Sequence, residues 1–279
     1  MNQRKKRNLQ VLNQAALFIC GWLLFSSHIA LADEIDLHVM GGQSNMQGWR
    51  SDARYYPADP RHLDSTIPFY YEAVDYASTK RQWETLHSQG GHFALGHFGP
   101  EVTFARAVKN YGFKPAIFKF SFGSSSLETV WKSPGQGGLY DRMIRELQHS
   151  INLLKQQGHQ VTIRSFTWIQ GETDAGNDGL ANRYYYNLQR LIHHFRHNVA
   201  RNPRLPVILG VDEQHPLVKQ RPQVIAAQQK LATEDANTAY TSMLGLEKSD
   251  VTHLTANGVI QHGNRLFKAY LQLAYHLDF

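Results

Sequence analysis

The feature of this sequence that most constrains the fold is a regular alternation of short apolar, β-branched runs with longer amphipathic segments. Strands that alternate with helices of ten or more residues are typical of a parallel sheet covered by helices on both faces. We therefore predict an α/β fold whose parallel sheet has about five strands, at residues 35–40, 116–120, 163–169, 207–211 and 240–244. Helices are predicted at residues 101–110, 140–157, 180–201, 219–234 and 256–276, and long loops between 50 and 99.

The first 32 residues have the three parts of a secretory signal peptide. Basic residues occupy positions 4–7, an apolar run covers 15–25, and Ala30-Leu31-Ala32 places small residues at a cleavage site. The run is shorter than the roughly 20 residues of a membrane-spanning helix. We predict that residues 1–32 are removed, that the chain is exported to the periplasm or secreted, and that residues 33–279 form a single domain. An uncleaved anchor and a lipid on Cys20 are the alternatives.

Loss of that segment changes the charge of the chain. The 279 residues include 29 Lys and Arg against 23 Asp and Glu, a formal net charge of +6. Four of the basic residues and the single cysteine lie within the first 32 residues, so the rest carries +2. We therefore predict no nucleic-acid partner and no stable membrane association for the mature chain. A chain without cysteine also has no disulfide, thiol nucleophile or zinc–thiolate site.

Polar residues follow the carboxyl ends of the predicted strands, where open parallel sheets place their sites. Ser44 follows two glycines after the first strand, and glycine permits the tight turn that exposes the next side chain. From this position alone, Ser44 is either a nucleophile or a cap of the following turn. Gly123 follows the second predicted strand. Either its N–H can approach a reacting oxygen, or the residue is part of a flexible polar loop.

Three further polar residues, Gln170, Glu172 and Asp174, follow the third strand. The amide of Gln170 is a donor at the opening of the site. Two carboxylates this close can act as the acid and base of a glycosidase, or can organise a loop by accepting backbone N–H groups. We predict the second, supporting role for Glu172. Residues 212–215 follow the fourth strand and either line a pocket or form a polar loop.

Asp250 and His253 precede the last helix and are close enough in a turn to meet. The carboxylate would hold the imidazole in one tautomer and stabilise its charged form, leaving the other ring nitrogen to take a proton from Ser44. Without Ser44 the same pair indicates only a helix N-terminal turn. His193 and His197 lack the carboxylate of the metalloprotease pattern, so a solvated helix face is favoured and no metal site is predicted.

Three ordered blocks of the sequence resemble the SGNH-hydrolase superfamily, in particular its sialate O-acetylesterase / acetylxylan esterase branch (the carbohydrate esterase family 6-like group). The blocks are Gly-Gln-Ser-Asn-Met at 42–46, Trp-x-Gln-Gly-Glu-x-Asp at 168–174 and Asp-x-x-His-Leu at 250–254. The resemblance covers residues 36–273 and implies a three-layer α/β/α, flavodoxin-like fold that hydrolyses esters without metal or cofactor. It implies Ser44 as nucleophile and Asp250 and His253 as acid and base. It also implies an oxyanion hole of Ser44, Gly123 and Gln170, although the wider superfamily has Asn in place of Gln170.

We therefore predict a serine esterase that removes O-acetyl groups from carbohydrates through an acetyl-enzyme intermediate. Its partner is an acetylated carbohydrate: xylan, sialic acid or a related glycan. The region between 49 and 83 supplies a mixture of aromatic and polar groups that suits a sugar better than an acyl chain: Trp49, Arg50, Arg54, Tyr55, Tyr56 and Trp83. A lipase or thioesterase of the same superfamily is one alternative, and a non-catalytic carbohydrate-binding protein is the other.

Overall fold

Strands and helices alternate along the residues that the computed structural model describes, which are 33–74 and 76–276. The strands are β1 (Glu34–Gly42), β2 (Pro68–Ala73), β3 (Ala77–Ser78), β4 (Glu84–Thr85), β5 (Pro115–Ser121), β6 (Gln160–Ile169), β7 (Val207–Gly210) and β8 (Thr238–Tyr240). The helices are α1 (Ser44–Gln47), α2 (Glu101–Asn110), α3 (Leu139–Gln156), α4 (Asp178–His194), α5 (Pro216–Gln220), α6 (Gln223–Glu234) and α7 (Ala256–Tyr275). The predicted signal peptide, residues 1–32, lies outside the described residues.

The strands form one sheet in the order β3-β2-β5-β1-β6-β7-β8, with β4 paired to β2. The six strands from β2 to β8 along this order are parallel neighbours, and only β3 and β4 run antiparallel to β2. Gly42 at the end of β1 pairs with Ser121 of β5 on one side and Ile169 of β6 on the other. β2 and β5 lie on one side of β1, and β6, β7 and β8 lie on the other. Where the strand order of a parallel sheet reverses in this way, a crevice opens beyond the carboxyl ends of the strands.

The predicted α/β class, with a mostly parallel sheet between two helical layers, is confirmed, but the predicted number of strands is wrong. The described residues form eight strands instead of about five. The additional strands β2, β3 and β4 all lie between 50 and 99, which was expected to be loop. Pro68 and nearby turn residues obscure the aromatic run of β2, and β3 and β4 have two residues each, too few to show a period.

Two apolar layers cover the sheet because successive side chains of a strand point to opposite faces. Leu37 and Val39 of β1 join a cluster on one face with side chains of α3, α4 and α6, whereas Met40 joins a cluster on the other face with side chains of α2 and α7. Eight of the nine residues of β1 are buried, as expected for a strand covered on both sides. This rigid strand leads directly into Ser44.

Two of the predicted helices have different boundaries in the structure. The helix predicted at 219–234 is interrupted at Arg221, because Pro222 has no N–H and disfavours helical geometry in the residue before it. The helix predicted at 180–201 ends at His194 and continues as a π-helical turn, Phe195–Val199. Among residues 33–74 and 76–276, helices long and apolar enough to cross a bilayer are absent.

Candidate active site

Ser44 is the first residue of α1 and follows β1 after a turn that needs glycine. At Gly42 a side-chain Cβ would lie 2.1 Å from the carbonyl oxygen of Ile169, so β6 leaves no room for it. At Gly48, which ends α1 with φ 84°, a Cβ would lie 1.9 Å from the carbonyl oxygen of Phe98. Both constraints fix α1 at the carboxyl edge of the sheet, where Ser44 is 6% exposed.

The structure brings together the three residues proposed as nucleophile, base and acid. His253 Nε2 lies 3.1 Å from Ser44 Oγ, and His253 Nδ1 lies 3.0 Å from Asp250 Oδ2. With the Nδ1 proton donated to the carboxylate, Nε2 is the acceptor for the serine hydroxyl proton. The arrangement has the geometry of a nucleophile, a base and an orienting carboxylate within hydrogen-bond reach.

The carboxylate of Asp250 is held by several donors. Its Oδ1 accepts the backbone N–H groups of Thr252 at 2.7 Å and His253 at 2.8 Å. Partial burial opposes ionisation of Asp250, but the hydrogen bonds from the His253 ring and the two backbone groups outweigh it and lower its pKa to about 2. Arg50 Nε lies 3.4 Å from Asp250 Oδ2. Asp250 is therefore negatively charged across the neutral and mildly acidic range.

Ser44 and Gly123, whose backbone N–H groups are predicted to form the oxyanion hole, lie close together. The N–H of Ser44 belongs to the first turn of α1, where backbone donors have no partner within the helix. Gly123 follows β5, and a Cβ built on it would lie 3.8 Å from Ser44 Cβ. A side chain at Gly123 would fit sterically but would occupy the space beside the nucleophile.

Gln170 differs from the prediction. It is fully buried, and its Nε2 donates to the carbonyl oxygen of Ser125 at 2.9 Å and to Asp174 Oδ2 at 2.6 Å, while its Oε1 accepts from the Tyr184 hydroxyl at 2.9 Å. Both amide hydrogens are thus used inside the protein, and none is left for an oxyanion. In this structure Gln170 instead joins the end of β6 to the loop that carries Gly123.

Glu172 contacts the site through Asn45 and the backbone of Asp212, and not through Gln170. Its Oε1 accepts from Asn45 Nδ2 at 3.3 Å and from the backbone N–H of Asp212 at 3.2 Å. Burial raises the pKa of Glu172 to about 7, against the opposing effect of these hydrogen bonds. Asp174, not Glu172, is the carboxylate that holds Gln170.

Asn45 is the residue that sequence reasoning missed, although it stands next to Ser44 in the first block. Its Nδ2 donates to the carbonyl oxygen of Thr252 at 3.0 Å, and its Oδ1 accepts the N–H of Leu254 at 3.2 Å. These two hydrogen bonds fix the backbone on either side of His253. The signal available in the sequence was the position of Asn45 beside the candidate nucleophile.

Residues 212–215, which were expected either to line a pocket or to form a polar loop, contact the Asp250–His253 loop. Asp212 is almost fully buried and forms an ion pair with Lys248, whose Nζ also donates to the carbonyl oxygen of Val251 at 2.6 Å. His215 Nε2 lies 3.3 Å from Thr252 Oγ1. The loop is therefore held from the β7 side as well as from Asn45.

The aromatic residues between 49 and 83 divide into two groups. Trp49 lies beside the site, and its backbone N–H donates to the carbonyl oxygen of Ser44 at 3.1 Å. The centre of its ring lies 4.6 Å from that of Tyr76 and 5.5 Å from that of His92. Tyr56 donates to Asp64, and the Trp83 indole donates to the backbone of α3, so these two serve the fold. Across residues 33–74 and 76–276, groups of three or more His, Cys, Asp or Glu suited to a metal ion are absent.

An α/β sheet that presents a serine, a histidine and a carboxylate at its carboxyl edge defines a hydrolase of the serine-esterase class. The sequence profile of the family described as "Carbohydrate esterase, sialic acid-specific acetylesterase" matches residues 34–272. The chain belongs to this family, and the predicted carbohydrate-esterase branch is thereby confirmed.

Individual relatives agree with this assignment. The chain is 28% identical over 247 residues to a probable carbohydrate esterase of Arabidopsis thaliana, covering 84% of this chain and 90% of the relative. The crystal structure of an Arabidopsis thaliana protein aligns with a TM-score of 0.65 at 27% identity, covering 85% and 98% of the two chains.

Two more distant structures share the fold. The crystal structure of NanS aligns with a TM-score of 0.65 at 14% identity, over 88% of this chain and 99% of the other. A carbohydrate acetylesterase from Xanthomonas citri aligns with a TM-score of 0.58 at 20% identity, over 88% of this chain and 57% of the other. These identities support the same architecture for all of the chains.

Proposed function

We propose that this carbohydrate esterase removes O-acetyl groups from its substrate, with Ser44 as nucleophile, His253 as general base and Asp250 as the orienting acid. The observation that carries the proposal is the continuous set of contacts from Ser44 Oγ to His253 Nε2 and from His253 Nδ1 to Asp250. The Xanthomonas citri neighbour is a carbohydrate acetylesterase and the matching family is one of acetylesterases, and both support acetyl as the group that is removed.

The reaction follows from the geometry in two steps. His253 Nε2 takes the proton of Ser44 as Oγ attacks the acetyl carbonyl carbon, and the N–H groups of Ser44 and Gly123 stabilise the oxyanion. His253 then protonates the departing sugar oxygen, which leaves an acetyl-enzyme on Ser44. A water molecule that gives its proton to His253 attacks this ester, acetate leaves, and Ser44 recovers its proton.

The supporting residues keep this arrangement fixed before the substrate binds. Asn45 holds the backbone around His253, and Glu172 holds Asn45. Gln170 fixes the loop that carries Gly123. Misplacement of reacting groups by about 1 Å can cost on the order of 10²-fold in rate, so such contacts matter as much as those that touch the substrate.

The proposal is tested by measuring acetate release from acetylated glycans and from p-nitrophenyl acetate with the wild type and Ser44→Ala. We expect the wild type to release acetate, and Ser44→Ala to lose at least about 10³-fold of kcat/KM while keeping the circular dichroism and melting temperature of the wild type. A Ser150→Ala variant is a matched control, because this buried serine lies in α3 and its hydroxyl donates to the carbonyl oxygen of Leu147 in the same helix.

The alternatives have different outcomes in the same experiment. Activity that persists in Ser44→Ala would show that another residue is the nucleophile. Faster cleavage of octanoyl than of acetyl esters would indicate a lipase, and binding of glycans without any acetate release would indicate a carbohydrate-binding protein.

A further inference from the structure

A cavity lies beside the Asp250–His253 loop and is not used by the mechanism. Its volume is about 470 Å³, within the range of sites that hold small ligands. Its walls come from the segment that follows α1, from the loop before Asp250 and from the first residues of α7. Arg50 lines the cavity and also contacts Asp250, so the cavity begins one side chain away from the catalytic carboxylate.

The lining combines aromatic rings with a few polar groups. Tyr55 and Phe93 contribute rings, and the side chain of Tyr55 is 64% exposed. The C–H faces of a pyranose ring pack on exposed aromatic rings, which leaves its hydroxyl groups at the rim. Glu247 and Asn257 provide an acceptor and a donor there, and Asn257 Nδ2 already donates to Glu247 Oε2 at 2.9 Å, which orients both.

The charges of the lining favour a neutral ligand. Arg50 faces the carboxylate of Asp250 and has His92 as its other partner. Asp52 already accepts from Arg54, while the carboxylate of Glu247 accepts from the neutral amide of Asn257. An anionic ligand would therefore meet Glu247 and compete with Asp250 for Arg50, whereas sugar hydroxyls can bond to all of these groups.

We propose that this cavity is a subsite for a neutral pyranose unit adjacent to the acetylated sugar, so that the enzyme acts on acetylated oligosaccharides in preference to single sugars. The inference rests on the proposed function for the identity of the reacting group. It adds the class of substrate: a neutral glycan that spans from Ser44, past Arg50, to Tyr55 and Asn257.

Binding can be measured without catalysis. We propose calorimetry on Ser44→Ala with neutral tetrasaccharides of xylose, mannose, glucose and N-acetylglucosamine, and with N-acetylneuraminic acid as the anionic probe. We expect at least one tetrasaccharide to bind, and Tyr55→Ala or Asn257→Ala added to Ser44→Ala to weaken that binding about tenfold. Tyr186→Ala is the matched control, because Tyr186 is 65% exposed on α4 and does not line the cavity.

Kinetics give the second measurement. Tyr55→Ala should raise KM about tenfold for the acetylated form of that tetrasaccharide and leave kcat/KM for p-nitrophenyl acetate unchanged, since this small ester does not reach the cavity. The subsite is refuted if none of the tetrasaccharides binds, or if Tyr55→Ala and Tyr186→Ala bind equally well. A wild type that binds the tetrasaccharide but hydrolyses no acetyl ester would refute the proposed function alone.

Discussion

At the scale of single residues, Asn45 links two parts of the site that are 207 residues apart in sequence. Its side-chain amide bonds to the backbone at Thr252 and Leu254, so the position of the intervening His253 depends on the residue that follows Ser44, the proposed nucleophile. The side chain is almost fully buried, and water cannot readily replace its contacts.

Asn45→Ala should therefore lower kcat by about 10- to 100-fold while changing KM little, because a displaced His253 accepts the serine proton poorly. Steady-state kinetics with p-nitrophenyl acetate measure this. Asn187→Ala is a suitable control, because Asn187 lies on α4 and its side chain donates to Glu128, away from the site. A change confined to KM would contradict the positioning role.

Glu172 gives a prediction about the pH dependence of stability. Its pKa is about 7 in the folded protein and near 4.5 in the unfolded chain, so between these values only the folded state holds the proton. A state that binds the additional proton loses stability as pH rises, so Glu172 reduces the free energy of unfolding from about pH 4.5 to 7. Glu172→Gln lacks this effect.

The variant should consequently gain stability relative to the wild type between pH 5 and pH 8, by on the order of 2–3 kcal/mol. Urea denaturation of both proteins at the two pH values measures the difference. If the difference in free energy of unfolding between variant and wild type is the same at both, the proton is not held at Glu172.

The sequence predicted which side chains reach the site more readily than what each one does there. Ser44, Asp250 and His253 could be found because each follows a turn and their chemistry is complementary. The partners of Gln170 could not be found, because a strand-end position does not reveal that Asp174 and the Ser125 carbonyl take both amide hydrogens. Such bonds depend on three-dimensional packing that no spacing encodes.

At the scale of elements, a buried ion pair connects β5, α2 and α1, the short helix that begins at Ser44. Lys119 of β5 and Glu101 of α2 are both fully buried, with Nζ 2.6 Å from Oε2. The Lys119 ammonium also donates to the carbonyl oxygen of Gln47 at the end of α1, at 3.1 Å. Glu101 in turn accepts the N–H of Gly99 at 2.9 Å.

Lys119→Met should destabilise the protein by about 3–5 kcal/mol, because it leaves the Glu101 carboxylate buried without its cation. Chemical denaturation measures the loss. Arg183→Met is the comparison, since the Arg183–Glu128 pair is exposed to solvent and its removal should cost much less stability than the loss of Lys119. Similar losses for both variants would mean that burial does not set the strength of the pair.

Prediction at this scale succeeded where elements are long and periodic. The helix predicted at 101–110 has those limits in the structure, and the last helix agrees to within one residue. The strands between 68 and 85 were missed because pairing with other strands stabilises them: β2 pairs with β5, and β3 and β4 pair with β2. Their stability comes from neighbours, not from a local pattern.

At the scale of the whole molecule, the sheet order explains why distant blocks of sequence converge. β1 lies between β5 and β6, so Ser44, Gly123 and the residues after β6 share one edge, and the Asp250–His253 loop reaches that edge before α7. The segment from 50 to 99 adds Arg50, which contacts Asp250, the proposed acid. The parallel sheet could be predicted from the alternation of elements, whereas the way this segment folds against the site could not, because it has little periodicity.

From the pattern of residues 1–32 we propose that the protein is exported and that this segment is cleaved off during export. Cleavage after Ala32 leaves one residue, Asp33, before β1 begins at Glu34, and so leaves every described strand and helix intact. Expressed in full in a Gram-negative host, the chain should be recovered from the periplasm or the medium with an intact mass that begins at Asp33. Ala30→Leu combined with Ala32→Tyr removes both small residues and should leave the segment attached, because signal cleavage requires them. A conservative pair, Ala30→Ser with Ala32→Gly, should still be cleaved. Recovery of the unaltered chain at full mass from the membrane fraction would instead establish an uncleaved anchor.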